Sequence, residues 1–233
     1  MNRPFLCYFT LNTPALLGRR LTLDGLLAGV LFSRLQDLDR ALADIPLKQT
    51  EGVFHGSAAF LEGTSGMGNF TVGSSLQVNR LDPEMIQPNK NGKYPTVSLA
   101  HGEFRNRQSH YVSHTAKGVM FGGCGDVERV RALLQEVDGL GAKRSSGWGE
   151  VITVEVDEVD VDDPHYGLML TDATPARPVP VDVWADIGGG DAPRGFERFA
   201  PPYIYGDAVL CALPSARRTT LEKSHLFELF GDA

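Results

Sequence analysis

The residues best suited to chemistry lie between positions 139 and 149, in "GLGAKRSSGWG". Lys143 and Arg144 supply two cations, and Ser145 and Ser146 supply two hydroxyl groups. Gly141, Gly147 and Gly149 let backbone approach a ligand closely, and Trp148 adds a flat aromatic face between two of them. Cations, hydroxyl groups, backbone N–H groups and one stacking surface are what hold phosphates and unpaired bases. A Walker-type nucleotide loop is excluded. Such a loop runs from a strand into a helix N-terminus, whose dipole favours anions. Here an amphipathic run precedes the loop and an alternating run follows, so the helix dipole meets the loop with its negative end. There is no GK[ST] triplet either. A plainer reading stays open, in which Gly139 or Gly141 caps the preceding helix and the two cations offset its dipole. Trp148 likewise reads as a stacking ring or as core.

More cations lie in residues 63 to 117, where six Lys or Arg face three Asp or Glu, although the whole chain carries a net charge of -7. Lys90, Lys93, Arg105, Arg107 and Lys117 make this stretch a cationic arm, or else a solvated loop without a partner. Arg19 and Arg20 follow the first expected strand and offer a further anion contact or a solvated turn. His55, His101, His110 and His114 are candidates for acid–base work near neutral pH. His110 and His114 are four apart, but "RNRQSHYVSHTAKG" has no helical stripe and no nearby carboxylate to complete a metal site. On a strand both rings would share one face, and contact with RNA or plain exposure is the expectation. His55 reads as core. The seven carboxylates from Glu150 to Asp163 alternate with valines, which makes them the solvent face of a strand rather than a two-metal site.

The elements that must position these residues follow from patterning. Pro4–Asn12 predicts a buried strand, and Thr22 caps a helix with Asp24 in its first turn, ending by Pro46. Val53–Leu61 predicts a second strand. The long insert, about 63–117, follows, with hairpin pieces near Asn69–Leu76 and Thr96–His101. Val119–Gly123 predicts a third strand, Asp126 caps a second helix, and the run from Glu150 to Val161 predicts the fourth strand. This βαββαβ order predicts an α+β, ferredoxin-like domain of the RRM type over residues 1–163. Residues 164–233, with "PARPVPVDVW" and "FAPPYIYGDAVLCALP", read as strands of a smaller β-rich lobe packed on it. Cys7, Cys124 and Cys211 are too scattered for a zinc site or a disulfide framework. The first residues do not form a signal peptide, and no apolar run approaches the roughly 20 residues of a membrane span. The expectation is a cytoplasmic chain with no membrane contact, no metal and no cofactor.

A loop of the form G-x-K-R-S-S-G-W-G between the second helix and last strand of such a fold resembles the signature loop of the RAMP superfamily of CRISPR-associated proteins. The order of elements over about the first 160 residues is also similar, long insert included. The length, and a "PP-Y" strand near Pro201–Tyr203, resemble the subunit of type IV CRISPR effector complexes that caps the 5′ end of the guide RNA. The resemblance implies a palm formed by the RAMP fold and a thumb formed by the insert, together gripping the 5′ handle. It implies the guide RNA and the backbone and large effector subunits as partners, with target DNA met indirectly or near its flanking motif. It implies no catalysis. Two rivals stand beside it: a RAMP-family endoribonuclease that processes precursor guide RNA, and a metabolic α+β protein with no nucleic-acid role.

Overall fold

A computed structural model describes residues 2–17, 21–63, 66–75, 88, 90–93, 100, 105–215 and 222–231. The chain forms two compact units, one of Met1–Met67 with Ser113–Ala233 and one of Gly68–Val112.

β1 spans Arg3–Leu11, with Phe5, Cys7 and Phe9 fully buried on one side and Leu6 and Tyr8 buried on the other. A strand covered on both faces reads as one continuous apolar run, as this one does. α1 spans Leu23–Leu35. Thr22 has the extended backbone of an N-cap, but its hydroxyl accepts no helix N–H and donates instead to the Tyr203 oxygen at 2.9 Å. Asp24 stands in the first turn as expected, where it is fully buried and paired with Arg177. The helix stops short of Pro46 because Gln36 turns left-handed at φ 53, and Asp37 accepts from the Arg40 N–H to start α2, Leu38–Ala43.

The expected strand Val53–Leu61 is broken. β2, Gln49–Thr50, and β3, Val53–Phe54, form a short antiparallel pair, and β4 is only Phe60–Glu62. The reason is a competing donor: the Phe54 and Gly56 carbonyls accept from Arg177 Nη1 at 2.8 and 3.0 Å. β5, Gly66–Ser74, and β6, Arg107–Thr115, form a two-stranded sheet. The expected hairpin piece near Thr96–His101 lies almost wholly outside the described residues.

β7, Gly118–Gly125, is buried throughout. α3, Val127–Leu134, starts as expected, with Asp126 accepting from the Arg129 N–H, and buries Val127, Val130, Leu133 and Leu134. β8 spans Val151–Glu158. The main sheet runs β4-β7-β1-β8 with every neighbouring pair antiparallel. One face packs on α1 and α3 through Phe5, Phe9, Phe121, Leu27 and Val130, with Phe9 and Phe121 edge to face at 5.8 Å. The other face, through Leu6, Tyr8, Phe60 and Met120, is covered by Tyr166, Leu170, Leu226 and Phe230.

The last 70 residues are not only strands. β9 is Val179–Pro180, and the expected strand then coils into α4, Val181–Asp186, because Val183, Trp184 and Ile187 bury at helical spacing. β10, Arg194–Glu197, and β11, Val209–Ala212, complete a sheet of order β10-β11-β9. The "PP-Y" segment is not a strand: Pro201–Pro202 is a cis peptide, and the chain turns to send Tyr203 inward. α5, Lys223–Leu229, was not legible as a helix and lays Leu226 on the main sheet. The architecture is mixed α+β with antiparallel sheets. No helix among the described residues is long and apolar enough to cross a membrane.

Candidate nucleic-acid interface

The glycine-rich loop joins α3 to β8 and is clamped at its base. Leu140 N–H donates to Gly149 O at 2.8 Å, and Gly139 bridges Glu150. Two glycines are required by this closure. A Cβ on Gly149, at φ 68, would lie 2.0 Å from Leu140 O, and one on Gly141, at φ 89, would lie 2.5 Å from Leu16 O. No side chain fits either place. The plainer reading is corrected in part: α3 ends at Leu134 with Gln135 as its C-cap, before either glycine is reached, and Gly141 and Gly149 serve closure of the loop instead.

That closure does not account for the tip. Lys143 adopts φ 60 and leads into a 3-10 turn, Arg144–Ser146, which Gly147 ends at φ 80. Lys143, Arg144, Ser145, Ser146 and Gly147 are all exposed, whereas Trp148 is half-buried and Gly149 buried. Among the described residues neither Lys143 nor Arg144 has an ion-pair partner, and Arg144 makes only a long 3.5 Å contact to Gly139 O. The turn bonds Ser146 N–H and Gly147 N–H internally, leaving the Arg144 and Ser145 N–H groups without an acceptor among the described residues. Two exposed cations, two hydroxyl groups and two N–H groups without an acceptor among the described residues are of the chemical types that hold an anion. A non-glycine residue held left-handed costs about 1 kcal/mol or more, so Lys143 is set at its angle by the clamp around it.

The segment after β1 ties this loop to other expected site residues. Ala15 exchanges both backbone bonds with His114, at 2.8 and 2.9 Å. Leu16 O accepts from Ala142 N–H at 2.9 Å, and Pro14 O accepts from Gly149 N–H at 2.9 Å. Thr13 Oγ1 accepts from Glu150 N–H, and Asn12 Nδ2 donates to Glu150 Oε2 at 2.7 Å. Lys117 is exposed, and its carbonyl accepts from Leu11 N–H at 3.0 Å. Residues 12 to 16 thus lie between the His114–Lys117 stretch and the glycine-rich loop. Sequence reading missed Asn12, Thr13 and Pro14, whose only signal is a polar, proline-marked exit from the first strand. Arg19 and Arg20 lie outside the described residues.

In the smaller unit, Lys90, Lys93, Arg105, Arg107 and His110 are exposed, and His110 Nδ1 meets Thr71 Oγ1 at 2.9 Å. His110 and His114 fall in different units. His114 is partly buried, which lowers its pKa. His55 is fully buried, its ring bonded to Thr50 Oγ1 at 2.8 Å and Tyr166 O at 3.0 Å, and burial lowers its pKa to about 4. It is a neutral core residue at physiological pH, as its setting in the sequence suggested. His101 lies outside the described residues. No cluster of metal-ligating side chains occurs among the described residues. The carboxylates of β8 at Glu155, Asp157 and Glu158 are exposed, while Val156 is buried.

The comparisons with known proteins bear on this loop directly. The family model of "CRISPR type IV associated protein Csf3" matches residues 72–168, a stretch that includes β6, β7, α3, the glycine-rich loop and β8. The chain is similar to type IV CRISPR-associated proteins. That match bears out the likeness to type IV CRISPR-associated proteins drawn from the sequence. No curated protein matches the chain. Among solved structures, a chain of the "Cryo-EM structure of the Type III-B Cmr-beta bound to cognate target RNA" is similar, with a TM-score of 0.39 and 14% identity over 67% of this chain. The alignment spans 61% of that chain.

Proposed function

We propose that this chain is a non-catalytic RNA-binding subunit of a type IV CRISPR ribonucleoprotein, gripping the 5′ handle of the guide RNA and nucleating effector assembly. The β4-β7-β1-β8 sheet with α1 and α3 supports a ferredoxin-like palm over residues 1–163, the insert of about 63–117 serves as thumb, and residues 164–233 form an accessory lobe. Backbone and large effector subunits are its protein partners, and target DNA is met indirectly or near its flanking motif.

The observation that carries this reading is the exposed pair Lys143 and Arg144, without an ion-pair partner among the described residues, on a loop clamped at its base. An RRM-type sheet binds RNA on its open face. Here that face is covered by Leu226 and Phe230, so RNA contact moves to the loops at the sheet's end. A rigid base with flexible cations at its tip suits a static grip on phosphates. Lys117 and His114 add to it from the neighbouring stretch, and Lys90, Lys93, Arg105, Arg107 and His110 form the cationic surface of the thumb.

The test is binding of a 5′-handle RNA to the chain carrying Lys143→Ala and Arg144→Ala. Affinity should fall about tenfold, and the salt slope should shrink by about 1.4, the share of two phosphate contacts on a single strand. Unchanged affinity and slope, with the fold intact by thermal melting, would leave the loop purely structural.

A further inference from the structure

β10 is one of the two edge strands of the three-stranded sheet, opposite the two-residue β9. Side chains alternate along a strand, so Arg194 and Phe196 share one side, and Arg198 continues the alternation one residue past the strand's end. All three are exposed, and Phe196 is 72% exposed. Leu210 stands directly opposite Phe196 on β11 and is itself 37% exposed. Further along that side Ala212 and Val179 are buried beside Trp184. A core lies within reach of the sheet, yet the edge strand carries its ring beyond it.

A single exposed ring needs no explanation. The charges around this one do. Among the described residues neither Arg194 nor Arg198 is in an ion pair, in a chain whose net charge is -7. Arg198 Nε donates to Gly206 O at 2.9 Å, which ties down the loop that carries the exposed Ile204 and Tyr205. The carboxylate of Glu197 alternates to the opposite side of β10 and is half-buried.

We infer that Arg194, Phe196 and Arg198 form a binding site for single-stranded nucleic acid, distinct from the glycine-rich loop. An unpaired base stacks on the Phe196 ring, with Leu210 beside it as an apolar floor. The two guanidinium groups, on residues whose Cα atoms an extended backbone would set about 13 Å apart, take phosphates on either side. The strip is one ring wide with a cation at each end. That suits a polyanion with flat bases, whose phosphates meet the two cations while a base meets the ring. A duplex keeps its bases stacked on each other and cannot use the ring. This site does not rest on the loop reading and holds whether or not Lys143 and Arg144 bind RNA.

The experiment is fluorescence anisotropy of the full chain with labelled oligouridylate and oligothymidylate of roughly a dozen nucleotides, and with a blunt DNA duplex. Phe196→Ala should weaken binding of the single strands about tenfold, while Phe196→Trp keeps it. Arg194→Gln should reduce the salt slope by about 0.7, and duplex binding should not respond to either change at Phe196. These side chains are exposed, so the melting temperature serves as a control that the fold is intact. The Phe196→Ala effect should persist in the Lys143→Ala, Arg144→Ala background, which separates this site from the loop. Equal losses on both single strands assign stacking without sugar recognition, and a loss confined to oligouridylate assigns an added contact to the 2′-hydroxyl. Wild-type affinity of Phe196→Ala for both single strands would overturn the inference. So would a Phe196→Ala variant that changes only self-association in sedimentation, which would make the strip a protein interface.

Discussion

Arg177 Nη2 and Asp24 Oδ2 stand 3.0 Å apart, with both side chains fully buried. Tyr203 joins them, donating to Asp24 Oδ2 at 2.8 Å and accepting from Arg177 Nη2 at 2.7 Å. The Phe54, Gly56 and Phe199 carbonyls also accept from the guanidinium. One cation therefore fastens α1, the broken strand region and the segment before Tyr203 to one another. Burial raises the Tyr203 pKa, the Asp24 carboxylate adding to the effect, so the phenol stays protonated and able to donate.

Removing one partner of this pair should be far worse than removing both. Arg177→Met leaves the buried Asp24 carboxylate without its cation, with only the Tyr203 hydroxyl beside it, and takes the guanidinium from the Gly56 and Phe199 carbonyls. It should cost about 3–5 kcal/mol in urea unfolding. The double change Arg177→Met, Asp24→Leu should recover part of that loss, because no charge remains buried. A single variant within about 1 kcal/mol of wild type would show that the network is not an anchor.

The loop glycines should separate into two classes. Gly149→Ala forces a Cβ against Leu140 O and should destabilise the chain by several kcal/mol, on the order of a core overpacking or more. Gly147→Ala meets nothing within 4 Å and carries only the strain of φ 80, about 1 kcal/mol. Equal losses in denaturant midpoints would contradict the clamped loop base.

His55 should make folding sensitive to acid. Its pKa is about 4 in the folded chain against an ordinary value of 6.5. Between those values the unfolded chain binds the extra proton, so stability rises with pH there and is lost as pH falls from 6.5 toward 4. The loss is on the order of 3 kcal/mol. Melting temperature followed over this window should fall less steeply for His55→Gln than for wild type. Parallel curves would show that the ring is not held neutral.

The chain should leave repeat RNA intact over hours, with or without divalent metal. Histidine catalysis needs a base within reach of the attacking 2′-hydroxyl and a partner to orient it. Among the described residues no histidine ring is hydrogen-bonded to a carboxylate, and His55 is sealed in the core. Site-specific cleavage leaving a 2′,3′-cyclic phosphate, abolished by His110→Ala or His114→Ala, would establish the endoribonuclease reading instead.

What the sequence determined by itself was local. β1, α3 with its Asp126 cap, and β8 were legible because an apolar run, a 3.6-residue stripe and an alternation each encode burial within a few residues. The loop's cations and glycines were legible for the same reason, as was its place between helix and strand. Tertiary structure alone decided the rest. Thr22 and Asp24 resemble helix-start residues in any sequence window, and only Arg177 and Tyr203, more than 150 positions away, draw them into the core. The same guanidinium takes the carbonyls that a strand over Val53–Leu61 would have needed. Val183, Trp184 and Ile187 fit a strand or a helix by composition, and a nearby core made the helix the better burial. Which glycines are structural was likewise invisible, since it depends on Leu16 and Leu140 carbonyls brought close only by the fold. Burial patterns are written along the chain, whereas a buried charge finds its partner across it, and that choice is made only when the chain has packed.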